Sequence, residues 1–300
     1  MTEPAAPLPF VAAPFGDIDL AQRLAHAAAE QWGLAEPVLL RAGMNVLFSA
    51  HDVVLRVTRP TAAPSCAYHL ASLLGEAGIR VPRLVEPEPF VADDCVVFAV
   101  VREHSVGDVE WAEVGEMVAR VHRLQPAAVR ACYPLPRGGS ISWWQFEPML
   151  AAVDDLLDPA ARRGLVNAIE QQAGWADAGT PEVVCHGDVH PGNVIATAAG
   201  AVLLDWDLVC LAPTGWDHGP LLTWTERWGG EPGVYDSFSS GYGASLRDDP
   251  TAEALATLRL AAATLMRLRA GRTDPAAMAE AEQRLRWWRG DPDAPMWRSH

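Results

Sequence analysis

Residues 18–32 space their apolar positions three and four apart and stop at Gly33, which predicts a helix. Two runs follow, "PVLLRAGMNVLFSA" and "DVVLRVTRP", joined by His51-Asp52. Their β-branched content predicts a hairpin interrupted at Gly43. Residues 65–77 read as a helix, "VPRLVEP" as an extended segment and "DCVVFAVVRE" as a buried strand. From Val109 to Leu124 the period is helical again, with Val114, Met117, Val118 and Val121 on one side. Further helices are predicted over 148–173, 218–229 and 251–289, the last broken near "GRTDP". The expected fold class is therefore α+β with two lobes: a small β-rich N-terminal lobe, residues 1–103, and a larger, mainly helical C-terminal lobe, residues 104–300. They are expected to meet near Arg102 to Val106. No internal repeat is visible, and the Pro- and Ala-rich first fifteen residues are expected to be loosely held.

One stretch departs from this periodicity: "VVCHGDVHPGNVIATAAGAVLLDWD", Val183 to Asp207. It predicts a short strand, a tight loop "HGDVHPGN", then two strands around Ala198-Ala199-Gly200. That places Asp188 and Asn193 on the loop and Asp205 at the end of a buried strand. Asn193 and Asp205 offer hard oxygen ligands of the kind magnesium takes alongside waters and phosphate oxygens. Asp188 is left to meet a hydroxyl. The spacing D-x-x-x-x-N, followed on the next hairpin by an aspartate, is the arrangement of kinase catalytic loops.

"HGDVHPGN", "LLDWD" and "PTGWDHGPL" resemble the signature segments of the aminoglycoside phosphotransferase and choline kinase family, small-molecule relatives of protein kinases. Weaker resemblance in "RAGMNVLF", "VVLRV", "GIRVPRLV" and "GEMVARVHRL" follows the family order from about Leu40 to Leu222. The resemblance implies a protein-kinase-like fold. It also implies Mg2+-dependent transfer of the γ-phosphoryl group of ATP or GTP to a hydroxyl of a small molecule, aminoglycoside-like, an amino alcohol or a sugar. Residue by residue, it makes Asp188 the catalytic aspartate, Asn193 and Asp205 the magnesium ligands, Asp217 a brace for the loop backbone and His186 a packing residue. On the nucleotide side, Gly43, Met44 and Asn45 resemble the turn over the phosphates. Arg56 stands where protein kinases carry a phosphate-binding lysine, and "VVREHSVG", with Glu103, resembles the hinge that meets the purine. His190 and Asp207 occupy common family positions that the mechanism does not require. One departure concerns the helix over 65–77, which carries Cys66, Ala67, Tyr68 and His69 where the family has an early glutamate. Arg56 then needs another partner, for which Asp205 is the candidate, or nucleotide positioning is weakened.

Composition narrows the alternatives. A net charge of −15 argues against a nucleic-acid partner, which calls for a basic patch. No run is long and apolar enough for a membrane helix, and "MTEPAAPLPF" does not read as a signal peptide, so a cytoplasmic location is expected. The five cysteines are scattered without a C-x-x-C pair, which suggests reduced, mostly buried thiols. Lysine is absent, so mechanisms that need its amine are excluded. Two rival classes stay open: a zinc hydrolase using His186, Asp188 and His190, and a non-catalytic nucleotide- or small-molecule-binding protein on the same fold. Trp143 and Trp144, being adjacent, are not expected to face one pocket. Asp154, Asp155, Glu226, Glu231 and Asp236 are candidate carboxylates for a cationic acceptor. Oligomeric state is open.

Overall fold

The structure is a computed structural model that describes residues 14–298 apart from Ala178. Most of the N-terminal stretch expected to be loosely held lies outside the described residues. In chain order the first elements are α1 (Ile18–Trp32), β1 (Val38–Ala42), β2 (Val46–Ala50), β3 (Val53–Thr58), α2 (Ser65–Glu76), β4 (Phe90–Ala92), β5 (Cys95–Val101), α3 (Trp111–His122) and α4 (Pro126–Arg130). Then come α5 (Phe146–Ala151), α6 (Pro159–Gln172), β6 (Glu182–Cys185), β7 (Val194–Thr197), β8 (Gly200–Leu203) and β9 (Cys210–Pro213). The chain closes with α7 (Gly215–Leu222), α8 (Trp224–Trp228), α9 (Val234–Tyr242), α10 (Pro250–Gly271) and α11 (Pro275–Trp288).

Local chemistry sets these boundaries. The Asp17 side chain accepts the N–H of Leu20 at the start of α1, and Gly33 closes that helix at φ 65°. Three helices open on Asp-Pro: Asp158, Asp249 and Asp274 cap α6, α10 and α11, each with proline in the first turn. The first of these explains why 148–173 is not one helix. Asp158-Pro159 restarts the chain, leaving α5 short and a 3-10 turn at Asp154–Leu156 between them. Strands β4 and β9 and helix α9 were not expected from the pattern. The first two are too short for an alternation to show, and α9 is rich in Ser and Gly.

The chain forms two compact units. The first comprises the residues up to Glu110 with Leu124–Pro136 and Asn193–Val209. Its antiparallel sheet has the order β1-β2-β3-β5-β4, and the β7-β8 hairpin belongs to the same unit. Ala21, Leu24, Ala25 and Ala28 of α1 pack on Phe48, Leu55, Val57 and Val97 to make its core. The second unit comprises Trp111–Arg123, Arg137–Gly192 and the residues from Cys210. In it α3 packs on α9 and α10 packs on α6, α7 and α11. Gly115 and Gly241 let α3 and α9 approach: a Cβ on Gly241 would stand 1.8 Å from the Ala112 carbonyl oxygen.

The last part of the second unit's core is closed by Trp297, which is 2% exposed. Its backbone N–H donates to the Arg227 carbonyl at 2.7 Å, and the guanidinium groups of Arg227 and Arg284 lie over its ring. Trp228 and Trp287 meet it edge-on. Trp297→Ala is expected to cost about 3–4 kcal/mol. Urea unfolding would show this as a lower midpoint with an unchanged slope; a loss below about 1 kcal/mol would mean that the segment contributes little to the fold.

Candidate active site

In the first unit the β7-β8 hairpin gathers the expected metal ligands. Val194 pairs with Leu203, and the Asn193 carbonyl accepts the Leu204 N–H at 2.8 Å, so Asn193 and Asp205 flank the open end of one hairpin. Asp205 has a left-handed backbone, φ 58° and ψ 69°, uncommon for a residue with a side chain though more accessible to aspartate than to most. An amide and a carboxylate at this end make a hard-oxygen donor set, which fits magnesium and not a thiophilic metal.

Arg56, on β3, reaches this hairpin through Asp207, to which its guanidinium is hydrogen-bonded. Asp205 stands 3.7 Å from the same nitrogen, and the Asn45 amide donates to Asp207 at 3.2 Å. Burial works against the Arg56 charge, but the Asp207 and Asp205 carboxylates outweigh it and hold the guanidinium more firmly protonated. The partner missing from α2 is thus supplied by the second acid of "LLDWD", with Asp205 in a lesser part. Tyr133, which lies in no motif, lines one cavity with Asn45, Arg56, Arg59 and Asp207. Burial and the Asp207 carboxylate push its phenol well up, so it stays a neutral hydrogen-bonding group.

Gly43 shows why a motif glycine is weak evidence alone. Its φ is not positive, and a Cβ there would meet only the Asn45 carbonyl oxygen, at 3.9 Å. The fold itself does not require glycine at that position. Glu103 lies half-buried just beyond β5.

In the second unit, β6 and β9 pair and deliver the loop that begins at His186. Asp217, fully buried on α7, accepts the backbone N–H groups of His186 and Gly187, both at 2.8 Å, and pairs with His122 at 3.0 Å. His122 is held in turn by the Tyr242 hydroxyl at 2.9 Å. Burial disfavours the Asp217 charge, but hydrogen bonding and charge from His122, with His186 and the Gly187 N–H, bring its carboxyl below the usual range. This is the loop brace that the motif called for. His122, on α3, belongs to the same brace through its contact with this carboxylate.

Asp188 follows at the loop tip, its N–H donating to His186 Nδ1 at 3.2 Å. Its carboxylate is paired with Arg259 of α10 and lies 3.5 Å from His190 Nε2. Burial alone would raise the Asp188 carboxyl; Arg259 and then His190 reverse this and hold it well below the ordinary range. Arg259 was missed, although a signal existed: it is the one charged residue between Ala254 and Met266.

Other expectations can be placed in the second unit. Trp143 and Trp144 sit on a 3-10 turn, not on a regular helix or strand, and both reach Trp216, at 6.5 and 4.3 Å between ring centroids. The two rings meet a common neighbour because a 3-10 turn does not send adjacent side chains to opposite faces as a strand does. His186, Asp188 and His190 do not gather as ligands. Among the described residues, the set of His, Cys and carboxylate atoms close enough to share a cation is His122, Cys185 and Asp217, and the Asp217 oxygens are already committed to the loop. Cys185 is buried, and burial with the Asp217 charge pushes its thiol well up, which makes it a poor nucleophile. All five cysteines are free. Asp154, Asp155 and Asp236 are exposed, and each already has an arginine beside it, Arg162, Arg272 and Arg247.

With this geometry in hand, comparison with known proteins fixes the family. Residues 45–255 match the phosphotransferase enzyme family, APH, and the chain belongs to that family. No curated protein gives a significant match. The GDP and kanamycin complex of APH(2")-IIia is similar at 14% identity, with 91% of this chain and 99% of that one covered and a TM-score of 0.67. A choline/ethanolamine kinase family protein from Mesorhizobium loti is similar at 18% identity, covering 93% of this chain and 95% of that one, with a TM-score of 0.64. Spectinomycin phosphotransferase, APH(9)-Ia, in complex with ADP and spectinomycin, is similar at 15% identity over 85% of this chain and 89% of that one, with a TM-score of 0.63. The fold is α+β and protein-kinase-like, with a β-sheet N-terminal region and a mainly helical C-terminal part. Membership supports phosphotransferase chemistry as the activity class. Among the described residues no helix is long and apolar enough to cross a membrane.

Proposed function

We propose that the protein is a magnesium-dependent O-phosphotransferase that moves the γ-phosphoryl group of ATP or GTP to a hydroxyl of a small molecule. Residues 1–103 serve the nucleotide and residues 104–300 the chemistry and the acceptor. The observation that supports this most is the Asn193–Leu204 backbone hydrogen bond, which sets Asn193 and Asp205 at the end of a hairpin that Arg56 also reaches. Magnesium held by Asn193 and Asp205 would neutralise charge on the phosphate oxygens. Arg56, anchored by Asp207, steadies the phosphates, with Asn45 and the Gly43 turn over them. The backbone at Glu103 meets the purine. Asp188, held as a carboxylate on its braced loop, accepts the hydrogen bond of the acceptor hydroxyl and aims its oxygen.

A non-catalytic role loses its main ground, because Asp207 supplies the carboxylate that α2 lacks. An aminoglycoside acceptor gains no support from carboxylates already paired with arginine. The decisive experiment is calorimetric titration of the purified protein with ATP and with GTP, each with and without magnesium, beside Asp205→Asn. Magnesium-dependent binding of one nucleotide is expected, weakened at least about tenfold in the variant. No binding of either nucleotide, or equal affinity in the variant, would overturn the assignment.

A further inference from the structure

We propose that Arg259 is a positioning residue of the transfer reaction: it fixes the orientation in which Asp188 meets the acceptor hydroxyl. The inference rests on the phosphotransferase assignment above and adds a residue that the motif does not contain.

Arg259 is held from three sides. One terminal nitrogen pairs with Asp188 Oδ1, and the other donates to the Gly187 carbonyl at 3.2 Å. The guanidinium lies over the Trp143 ring, 4.5 Å from its centroid. Trp143 is itself buried, and the Arg259 side chain is 16% exposed. Behind it stands α10, a 22-residue helix capped by Asp249 and packed on α6, α7 and α11. The cation is therefore delivered by a long helix packed on three others, not by a surface rotamer. A planar fork that bonds a carboxylate and the preceding carbonyl at once sets the plane of the carboxylate as well as its charge.

The consequence for Asp188 is an asymmetric carboxylate. Oδ1 is paired with Arg259, and Oδ2 lies 3.5 Å from His190 Nε2. With Arg259 seated on Oδ1, the acceptor hydroxyl approaches from the Oδ2 side. The groups that face this carboxylate are Arg259 from α10 and His186 and His190 from its own loop. A cation so close weakens Asp188 as a base, which would be a handicap if the hydroxyl had to be deprotonated early. A loose phosphoryl-transfer transition state demands little of the nucleophile, so orientation is worth more than basicity. Arg259 strengthens the one at the expense of the other.

The test uses full-length protein with aspartate labelled at the carboxyl carbon, Asp188 being assigned by its disappearance in Asp188→Asn. In the wild type, the Asp188 carbon is expected to keep a carboxylate shift throughout pH 4 to 8. In Arg259→Met a protonation step should enter that window, since burial then acts without its counter-charge; the lower bound of about 4 is the ordinary aspartate value. Hydrolysis of magnesium-ATP or magnesium-GTP, with water as acceptor, should fall at least about tenfold in kcat in the same variant and acquire an acidic limb. The nucleotide KM should move less than about twofold, as for a group acting on the nucleophile side. A purely structural loss would lower the rate equally at all pH values. Arg259→Lys, which keeps charge but not the fork, should restore the flat titration and only part of the rate, and it replaces Arg259→Met if that variant does not fold. A wild-type Asp188 that titrates within the window overturns the proposal, as does a folded Arg259→Met with wild-type titration and rate. Absence of nucleotide binding in the wild type would instead overturn the phosphotransferase assignment, and the two failures are read from different experiments.

Discussion

Asp188→Asn lowers phosphoryl transfer by about a thousandfold while leaving magnesium-nucleotide affinity within about twofold of wild type; this is the expected outcome if Asp188 is the group that meets the hydroxyl. The amide keeps the size of the carboxylate and one acceptor oxygen, so the loop retains its shape under the Asp217 brace. What disappears is the charge that Arg259 and the acceptor hydroxyl both address. The neutral amide also presents an N–H to one of two donors, so either the hydroxyl or Arg259 loses its partner. Initial-rate kinetics beside calorimetry separate the two effects. A variant with full turnover would remove Asp188 from the mechanism, and one that lost nucleotide binding in proportion to rate would make its role structural.

Asp217→Ala is expected to have the largest effect on stability, about 3–5 kcal/mol, with a fall in melting temperature of roughly 10 °C. The substitution removes the acceptor of two buried backbone N–H groups and leaves His122 beside a void. Neither N–H has water to turn to, since His186 and Asp217 are fully buried. The same carboxylate gives a pH dependence. Its folded-state value is depressed, so its contribution is complete above the ordinary aspartate value near 4 and is lost as pH falls below it. Thermal unfolding from pH 7 down to 3 should therefore show a steeper acid destabilisation in wild type than in Asp217→Ala. Parallel curves would place the brace elsewhere.

Asp188 was legible from the spacing within one short loop segment, and Asp217 from the resemblance of a second segment, "PTGWDHGPL", to the family. The helices were legible for a similar reason: α1 runs over the 18–32 expected from its apolar period, and caps and breakers sit within a residue or two of each end. What stayed hidden depended on pairing across distance. Asp207 lies 151 residues from Arg56 and Arg259 71 residues from Asp188, and nothing in either local pattern ties the members together. Tyr133 enters the Arg56 cavity from a segment that carries no motif. The Trp143-Trp144 pair shows a different limit, since the expectation was sound for regular elements and the chain adopts a 3-10 turn there.

The left-handed backbone at Asp205 sets two selective pressures against each other. An L-residue held there costs about 1–3 kcal/mol relative to a relaxed conformation, which a glycine would avoid. Any process that rewards robustness alone, such as selection for expression or heat tolerance, would favour glycine at 205, whereas the proposed chemistry admits only a carboxylate. On the proposed function, glycine at this single position would give a sturdier protein that holds magnesium-nucleotide poorly. A lineage released from its catalytic duty would carry that exchange as an early mark of the change.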